Sequence, residues 1–510
     1  DKTLILLSIE KKIRDYIQRK KKKHRQRSYQ DWIIGNEPLQ IKKTQKVLQK
    51  CSYQPIISIC MAVYNTPRDF LSQAIKSVLA QEYTHWELCI ANDASTHADI
   101  KTILDRFASE NNRIKVAHRA SNGHISAATN TALTLATGDF VAFMDHDDLL
   151  APHALSAVVA ALNSQPNDNP LGVRIDRRRS MHTNSPQLTD IDLLYSDEDI
   201  IDADGNRLNA HFKSAWNKEL LYCHNYITHL CVVRRKLLID IGGMRAGYEG
   251  AQDYDLMLRL EKHLNPAAIA HIPLVLYHWR AHQDSTAAGS SNKLYTNQAG
   301  LSALQSRLVE DNQIVSVDTT DKANFYHVNY TLGQEPSVAI IIPTKDNLAC
   351  LRKCIESILE KTTYGNYRIC IVNNQSIEKK TYDYLAGLKS NTKISVLEYN
   401  EPFNYSALNN VAVKAINANN RPELLCLLNN DTEIISPNWL TEMATLAIQE
   451  NNGCIGAKLL YPNETVQHAG VILGLGGYAA HSHRGLKLSL IHISEPTRLR
   501  RISYAVFCLK

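Results

Sequence analysis

An internal repeat restricts the possible folds of this chain more than any other feature of its sequence. One copy begins at Pro55 and the other at Pro336, and each continues with an apolar run, a helical pattern and a second apolar run. A repeat of this length is too long for a solenoid and fits duplicated domains. A chain of 510 residues has room for two or three domains of ordinary size.

Each copy has the pattern of a βαβ unit. The strands are apolar throughout, which indicates a sheet covered on both faces. Between the strands, apolar side chains recur at helical spacing, at Leu71, Ile75, Val78 and Leu79 in the first copy and at Leu351, Ile355, Ile358 and Leu359 in the second. The repeat therefore predicts an α/β protein with two similar sheets.

A third apolar run in each copy ends in polar residues, Asp145 to Asp148 in the first copy and Asn429 to Asp431 in the second. Ligands of open parallel sheets bind beyond the carboxyl ends of the strands. Two carboxylates at such an end can hold a divalent cation that also binds phosphate. Taken alone, Asp-x-Asp is equally well explained as an acidic loop that caps the next helix.

Three other clusters accompany this pair. Asn92 to Ser95 ends the preceding apolar run, where a carboxylate could accept from a base or a ribose, or cap a turn. Asp253 begins a helical pattern and is either a general base or a helix cap. Tyr277 to His282 follows a predicted strand at Ile272 to Leu276; its cationic and imidazole groups suit a departing diphosphate, although a solvated loop is the default interpretation.

In this order the motifs resemble those of glycosyltransferase family 2, inverting enzymes of the GT-A fold, especially the tandem proteins of bacterial surface-polysaccharide clusters. The resemblance covers Pro55 to Ser285 and Pro336 to Gly477. It implies two tandem GT-A domains, each Rossmann-like with a mixed, mainly parallel sheet, the second truncated, behind a basic helical segment. The expected divisions are a basic segment at 1–54, a catalytic domain at 55–310, a linker at 311–335, a second domain at 336–487 and a tail at 488–510.

The resemblance also assigns roles at the nucleotide end of the site. Val63, Tyr64 and Asn65 are expected to line the nucleoside pocket, and Asp93 is expected to contact the base. One departure from the family pattern is Ala62, which stands where a Pro is usual.

At the reacting end, Asp145 and Asp147 stand where the family's Asp-x-Asp motif binds ribose, diphosphate and Mn²⁺ or Mg²⁺. Asp253 matches the catalytic base, Arg280 is expected near the diphosphate, and His282 is a further candidate metal ligand. A second departure lies beside the base, where Gln replaces the usual Glu, which leaves the carboxylate in place.

The second copy is altered at the matching positions. We assign Asn373 to the place of Asp93, Asn429 and Asp431 to the Asp-x-Asp place, and Thr344 to the end of the first strand. One metal carboxylate has thus become an amide, and the copy stops before any equivalent of the base. As given, the second copy is not expected to be a complete catalyst.

The implied activity is inverting transfer of a sugar from a nucleotide-diphosphate sugar to a glycan or lipid-linked acceptor, in synthesis of lipopolysaccharide O-antigen, capsule or exopolysaccharide. The alternative is a non-catalytic nucleotide-sugar-binding or scaffold protein of a polysaccharide assembly complex. A nucleotidyltransferase would need a Gly-rich basic loop after the first strand, and Ala62 to Pro67 lacks one. Nicotinamide chemistry is disfavoured because no GxGxxG follows either opening strand.

A basic run at Arg19 to Arg27 precedes the first copy, within a net charge of +6. A solvated helix face is the simplest interpretation; contact with an anionic membrane surface is the alternative, and nucleic acid is not expected as a partner. The eleven cysteines lack paired spacing and predict reduced core thiols. Without an apolar run long enough to span a bilayer or a secretory signal, the expected location is the cytoplasm, with peripheral contact at the inner membrane face.

The last segment, 488–510, differs in character from the rest of the chain. Its sequence resembles an in-frame translation of a sequencing adaptor, with three residues where a sample index would lie. We therefore exclude it from the prediction of the fold. The absence of an initial Met also suggests that the sequence is a fragment.

Overall fold

The computed structural model of the protein describes two compact units. The described residues are 29–164, 169–175, 191–281, 292–310, 315–419, 421–449, 452–473, 479–481, 483–487, 502–503 and 508–509. Those of the first unit fall within 1–312 and 317–328, and those of the second within 313–316 and 329–510. Among these residues, no helix combines the length and the apolar character needed to cross a bilayer.

Strands β1 to β10 of the first unit form one sheet. They are β1 Ile57–Val63, β2 Trp86–Asn92, β3 Ile114–His118, β4 Phe140–Phe143, β5 Leu149–Leu150, β6 Arg174–Ile175, β7 Leu193–Ile201, β8 Arg207–His211, β9 Cys231–Arg234 and β10 Ile269–Arg280. A separate two-stranded sheet, β11 Val315–Thr319 with β12 Tyr326–Tyr330, follows them.

The helices of the first unit alternate with these strands. They are α1 at 29–48, α2 Arg68–Leu79, α3 Ala98–Glu110, α4 His124–Leu135, α5 Ala154–Leu162, α6 Lys218–Cys223, α7 Arg235–Asp240, α8 Gln252–His263 and α9 Asn292–Val309, with a short 3-10 helix at Pro266–Ala268. The helical pattern predicted around Leu71 is α2, which buries its apolar stripe against β1.

The large sheet has the order β3-β2-β1-β4-β9-β7-β10-β5, with β6 beside β10 and β8 beside β7. Its first four strands are parallel, and Ile57 of β1 lies opposite both Trp86 and Phe140. This half is a Rossmann-type arrangement, and the other half mixes parallel and antiparallel pairs. The predicted mixed, Rossmann-like sheet is confirmed.

Strand β9 determines which residues meet at the carboxyl edge of the sheet. It runs antiparallel to β4, with Cys231 opposite Phe143 and Arg234 opposite Phe140. The start of β9 therefore lies beside the end of β4. Residues that precede β9 reach the same edge as the acidic residues that follow β4.

Strand β10 is longer than the sequence suggests. The predicted strand ended at Leu276, but β10 continues to Arg280 and pairs with β7 as far as Ile201. The expectation that Tyr277 to Arg280 form a loop is therefore wrong, because the backbone groups of these residues belong to the sheet.

Helix α1 packs on the hairpin formed by β7 and β8. The Tyr29 hydroxyl donates to Asp199 Oδ2 at 2.6 Å, and the Arg207 guanidinium donates to Glu37 at 2.6 Å. The Trp32 ring meets the ring of Phe212 edge-on, with centroids 4.9 Å apart. The predicted basic run at Arg19 to Arg27 lies outside the described residues.

The second unit repeats the beginning of the first. Its strands are β13 Val338–Thr344, β14 Tyr367–Asn373, β15 Ile394–Glu398, β16 Leu424–Leu427, β17 Leu459–Leu460, β18 Val466–His468, β19 Val471–Leu473, β20 Ala479–His481, β21 Ile502–Ser503 and β22 Cys508–Leu509. Its helices are α10 Leu348–Lys361, α11 Lys379–Leu388, α12 Tyr405–Asn419 and α13 Trp439–Ala447.

The two units share the same strand order and register. The order β15-β14-β13-β16 repeats β3-β2-β1-β4, and Val338 lies opposite both Tyr367 and Leu424, as Ile57 lies opposite Trp86 and Phe140. The short strands β21 and β22, which belong to the segment 488–510, pair antiparallel with β19 and β16.

Candidate active site

The acidic residues after β4 lie in a tight turn. Residues 146 and 147 form the turn, so the side chains of Asp145 and Asp148 converge on one side of it. Ligand atoms of Asp145, Asp148 and His229 all lie within 4.8 Å of one another. This is the candidate metal site, and its two carboxylates and one imidazole are donors that Mn²⁺ accepts, while the carboxylates also suit Mg²⁺.

This candidate cluster differs from the predicted ligand set in two respects, and the predicted set stays a prediction. Asp148 takes the place expected for Asp147, because the turn brings residues three apart together, whereas Asp-x-Asp in an extended strand would align residues two apart. His229, which the motif search did not single out, supplies the third group. The predicted candidate His282 lies outside the described residues.

Asp148 is buried, and its surroundings make its negative charge unfavourable. Burial raises the pKa of Asp148 well above the usual Asp range, and the carboxylates of Asp145 and Asp147 raise it further. The Arg280 backbone N–H and the Tyr277 hydroxyl each donate to Asp148 at 2.7 Å and act in the opposite direction. A divalent cation would relieve this repulsion, and the residues therefore fit such an ion.

His229 reaches the site from the start of β9. Its Nε2 lies 3.7 Å from Asp145 Oδ2, and its ring stacks on the ring of Tyr277 with centroids 4.5 Å apart. A single His before the apolar run at Leu230 usually marks a loop or a core residue. Only the antiparallel direction of β9, which the sequence did not indicate, places His229 at the edge of the sheet where β4 ends.

Asp253 lies in the first turn of α8 beside this cluster. The Asn225 side-chain amide donates to Asp253 Oδ2 at 2.8 Å. Burial raises the pKa of Asp253, Asp145 adds to this effect, and His229 acts against it. Asp253 is thus close enough to Asp145 and His229 for their charges to act on its carboxylate.

Arg280 lies behind the acidic turn and is only 3% exposed. Its Nε donates to the backbone oxygen of Asp147 at 2.7 Å, its second terminal nitrogen donates to Gln73 at 2.8 Å, and its guanidinium covers the ring of Phe70. Through these contacts Arg280 holds the backbone of the acidic turn, and its expected contact with a diphosphate stays a prediction.

Asp93, which is expected to contact the base, follows β2 and is buried. Its carboxylate accepts from Arg119 Nε at 2.7 Å and from the backbone N–H of Gly123 at 3.0 Å. A Cβ at Gly123 would lie 2.5 Å from a terminal nitrogen of Arg119, so a larger residue would disturb this arrangement. Asp93 thus joins the ends of β2 and β3.

The loop after β1 crosses to the same region. Val63 is buried, Tyr64 is 44% exposed, and Asn65 adopts a left-handed conformation with φ of 49°. The Asn65 side-chain oxygen accepts from the backbone N–H of Thr96 at 2.8 Å, and the backbone N–H of Asn65 donates to the Ser95 hydroxyl at 3.1 Å. Of the three residues expected to line the pocket, Tyr64 presents the most accessible side chain.

The register of the second unit corrects one predicted equivalence. Asn373 pairs with Thr344 as Asn92 pairs with Val63, so Asn373 corresponds to Asn92 and not to Asp93. The residue that matches Asp93 is the next one, Asn374, whose N–H donates to Thr344 O at 2.8 Å as that of Asp93 does to Val63 O at 2.9 Å. Asn373 ends β14 and Asn374 follows it directly, so the sequence alone allows either Asn to be matched with Asp93.

The turn after β16 corresponds to the acidic turn after β4 but has fewer negatively charged side chains. The register of β16 against β13 aligns Asn429, Asp431 and Thr432 with Asp145, Asp147 and Asp148. Both carboxylates of the candidate metal site are therefore replaced, one by an amide and one by a hydroxyl. In place of charged contacts, Asn430 Nδ2 donates to the Thr344 hydroxyl at 3.0 Å.

Comparison with known proteins identifies the family. The model of glycosyl transferase family 2 matches residues 58–242 and 339–501, which together make up more than half of the chain. The uncharacterized protein y4gI of Sinorhizobium fredii is 40% identical over 443 residues, which cover 86% of this chain and 46% of that protein. The O-antigen biosynthesis protein RfbC of Myxococcus xanthus is 35% identical over 454 residues, covering 89% and 33%.

The chain thus spans less than half the length of these two relatives. A crystal structure of residues 1–349 of TarS from S. aureus, in complex with UDP-GlcNAc, is similar at 15% identity with a TM-score of 0.36, covering 50% of this chain and 66% of that one. The family match extends over both units. The chain belongs to glycosyl transferase family 2, and its mixed α/β sheet is consistent with the Rossmann-like GT-A fold.

Proposed function

We propose that the first unit transfers a sugar from a nucleotide-diphosphate sugar to a hydroxyl group of a glycan or lipid-linked acceptor, with inversion at the anomeric carbon. The observation that carries this proposal is the convergence of Asp145, Asp148 and His229 beside Asp253 at the carboxyl edge of the sheet. Family membership supplies the class of reaction, and this cluster offers a base and a candidate cation site for it.

Asp253 acts as the general base. It takes the proton of the acceptor hydroxyl while that oxygen attacks the anomeric carbon from the face opposite the nucleotide. The bond between the anomeric carbon and the diphosphate oxygen breaks, and the nucleoside diphosphate leaves. The pKa of Asp253, raised by burial, makes this carboxylate a stronger base than an exposed Asp.

Asp145, Asp148 and His229 would hold a divalent cation, Mn²⁺ or Mg²⁺. When bound there, the ion supplies positive charge that stabilises the diphosphate as it departs. The Tyr277 hydroxyl and Arg280 keep the acidic turn in position through their contacts with Asp148 and Asp147. Asp147 is the third carboxylate of the turn and lies outside this group of three ligands.

The nucleoside lies against the ends of β1 and β2, where the side chain of Tyr64 is accessible and the Asp93–Arg119 pair orders the next loop. The product is a bacterial surface polysaccharide such as an O-antigen, capsule or exopolysaccharide. The similarity to the O-antigen biosynthesis protein RfbC of Myxococcus xanthus supports this assignment.

The test measures release of nucleoside diphosphate by the full chain from UDP-, GDP- and dTDP-sugars, with polysaccharide acceptors and with Mn²⁺ or EDTA. Asp253→Asn should abolish turnover but leave donor binding intact, and the exposed Asp240→Asn should change neither. Donor binding without turnover, unaffected by Asp253→Asn, would instead support a binding or scaffold protein.

For the second unit we propose the non-catalytic role, binding of a nucleotide sugar or support of a polysaccharide assembly complex. The observation in its favour is the replacement of both candidate metal carboxylates by Asn429 and Thr432. Thr344, Asn373, Asn374 and Asp431 remain the candidate nucleotide contacts there. The full chain with Asp145→Asn should then retain weak, metal-independent donor binding that Asn374→Leu removes.

The basic run at Arg19 to Arg27 brings the protein to an anionic membrane surface near a lipid-linked acceptor. Each basic residue near such a surface contributes about 1 kcal/mol. Deletion of residues 1–28, which spares the contacts of α1, should abolish sedimentation with phosphatidylserine vesicles at low salt. Unchanged sedimentation would refute this part of the proposal.

A further inference from the structure

A buried ion pair lies directly behind His229. Glu198 of β7 is 5% exposed and Lys213 is 2% exposed, and their charged atoms are 3.3 Å apart. Neither residue belongs to the ligand cluster or to the base. A buried ion pair contributes little to stability compared with well-packed apolar residues, so its presence calls for another explanation.

The contacts of this pair converge on one short segment, residues 227–229. The Lys213 ammonium donates to the backbone oxygens of Ile227 and His229 as well as to Glu198. The Glu198 carboxylate accepts from the His229 N–H at 3.1 Å and from the Thr228 hydroxyl at 2.8 Å. The segment is thus held through both its donors and its acceptors.

The backbone of this segment is in an unfavourable conformation. Thr228 has a φ of 40°, in the left-handed region that β-branched residues rarely adopt. Such a conformation persists only where the surroundings determine it, and it occurs preferentially at functional sites. Around Thr228 the conformation is determined by Glu198 and Lys213, and the next residue in the chain is His229.

We propose that Glu198 and Lys213 are positioning residues, whose role is to hold the His229 imidazole opposite Asp145 and Asp148 so that the three groups bind one divalent cation. This proposal rests on the metal site of the proposed function, in which Glu198 and Lys213 fix the position of His229. Lys213 uses its three protons on Glu198 and the two carbonyls, and Glu198 orients the peptide N–H that precedes the imidazole. Partners behind a metal ligand commonly change metal affinity about 10- to 100-fold when they are replaced.

The experiment measures Mn²⁺ binding by the full chain, from the electron paramagnetic resonance signal of free Mn²⁺, without any substrate. Glu198→Gln should raise the Mn²⁺ dissociation constant about 10-fold or more. The matched control is Glu87→Gln, which breaks the ion pair of a buried Glu with the half-buried Lys115, near the start of β2. That control should change the unfolding transition and leave Mn²⁺ affinity unchanged.

A double-mutant cycle separates positioning from a general structural effect. If Glu198 acts through His229, the effect of Glu198→Gln on Mn²⁺ affinity should vanish in a His229→Ala background. Additive effects, or equal effects of the Glu198 and Glu87 variants, would overturn the proposal. Should Glu198→Gln fail to fold, Lys213→Arg carries the same expectation, because a planar guanidinium cannot reproduce the three ammonium contacts.

The same measurements distinguish this proposal from the metal site on which it rests. Weaker Mn²⁺ binding in Asp145→Asn and His229→Ala, without an effect of Glu198→Gln, would refute only the positioning role. Mn²⁺ binding that neither Asp145→Asn nor His229→Ala weakens would refute the metal site itself and the positioning role with it.

Discussion

The ring of Tyr277 stacks on the ring of His229, with centroids 4.5 Å apart and planes inclined by 13°. The same Tyr277 hydroxyl donates to Asp148 Oδ2 at 2.7 Å and accepts from the Asp145 N–H at 3.0 Å. One side chain of β10 therefore contacts all three members of the candidate metal site.

Replacement of Tyr277 by Phe should weaken metal binding while preserving the stacked ring. The variant leaves the buried Asp148 carboxylate without one donor, which costs about 1–3 kcal/mol. We expect a lower urea midpoint and a Mn²⁺ dissociation constant raised several-fold, measured by urea unfolding and titration calorimetry. Tyr83→Phe removes a buried hydroxyl bonded to Pro55 O, far from the site, and should affect only the urea midpoint.

The pH dependence of turnover should reflect the raised pKa of Asp253. Because the base acts when ionised, kcat/KM should fall as the pH drops through this pKa, above the usual Asp range. The Asn225 amide donates to the carboxylate and favours its ionised form, so Asn225→Leu should move the acid limb to higher pH. A pH profile that is unchanged in Asn225→Leu, or an equal shift in the exposed control Asp240→Asn, would argue against Asp253 as the base.

The pair of Glu87 and Lys115 should contribute stability that depends on pH. Burial raises the pKa of Glu87, but the Lys115 ammonium and hydrogen bonds from Thr137 and Ser58 overcome this effect and lower the pKa to about 2. A depressed carboxyl pKa stabilises the fold above the unfolded value, about 4.3, and this stability is lost as the pH falls toward 2.

Glu87→Gln should therefore lower the free energy of unfolding by about 2 kcal/mol at pH 7. The difference from the original chain should shrink between about pH 4.5 and pH 2, because over that range the unfolded chain binds a proton at Glu87 and the folded chain, with its lowered pKa, does not. Urea unfolding at a series of pH values measures both quantities. A difference that stays constant down to pH 2 would contradict the assigned charge state.

Metal stoichiometry should reveal the difference between the two units. The first unit has Asp145, Asp148 and His229, whereas the second has Asn429 and Thr432 at the two carboxylate positions. We expect one Mn²⁺ per chain by titration calorimetry, and none with affinity in the same range after Asp145→Asn. A second equivalent ion that survives Asp145→Asn would show that the second unit binds metal despite these replacements.

The order of elements was predictable because it depends on local patterns. Apolar runs and helical spacing give β1, α2 and β2 directly, and the repeat at Pro336 gives their counterparts. The location of the acidic turn after β4 and of Asp253 at the start of α8 also follows from sequence, since strand ends and helix starts are local features.

The composition of the metal cluster was not predictable in the same way. It depends on the turn that favours Asp148 over Asp147 and on the antiparallel direction of β9, which brings His229 from 81 positions later in the chain to the edge where β4 ends. Likewise, two consecutive Asn residues at the end of β14 allow two alignments, and only the pairing with β13 decides that Asn374 matches Asp93. Each of these differences depends on contacts between distant parts of the chain, and a local sequence pattern does not show such contacts.

The packing of α1 bears on how a shorter gene should be designed. A first codon at Pro55, where the repeat begins, would remove Tyr29 and Glu37 and deprive Asp199 and Arg207 of partners beside the hairpin that carries Glu198. Such a product would keep every residue of the predicted motifs and still lose contacts of the hairpin that carries Glu198. The shortest reliable expression product of the first unit therefore starts upstream of Tyr29.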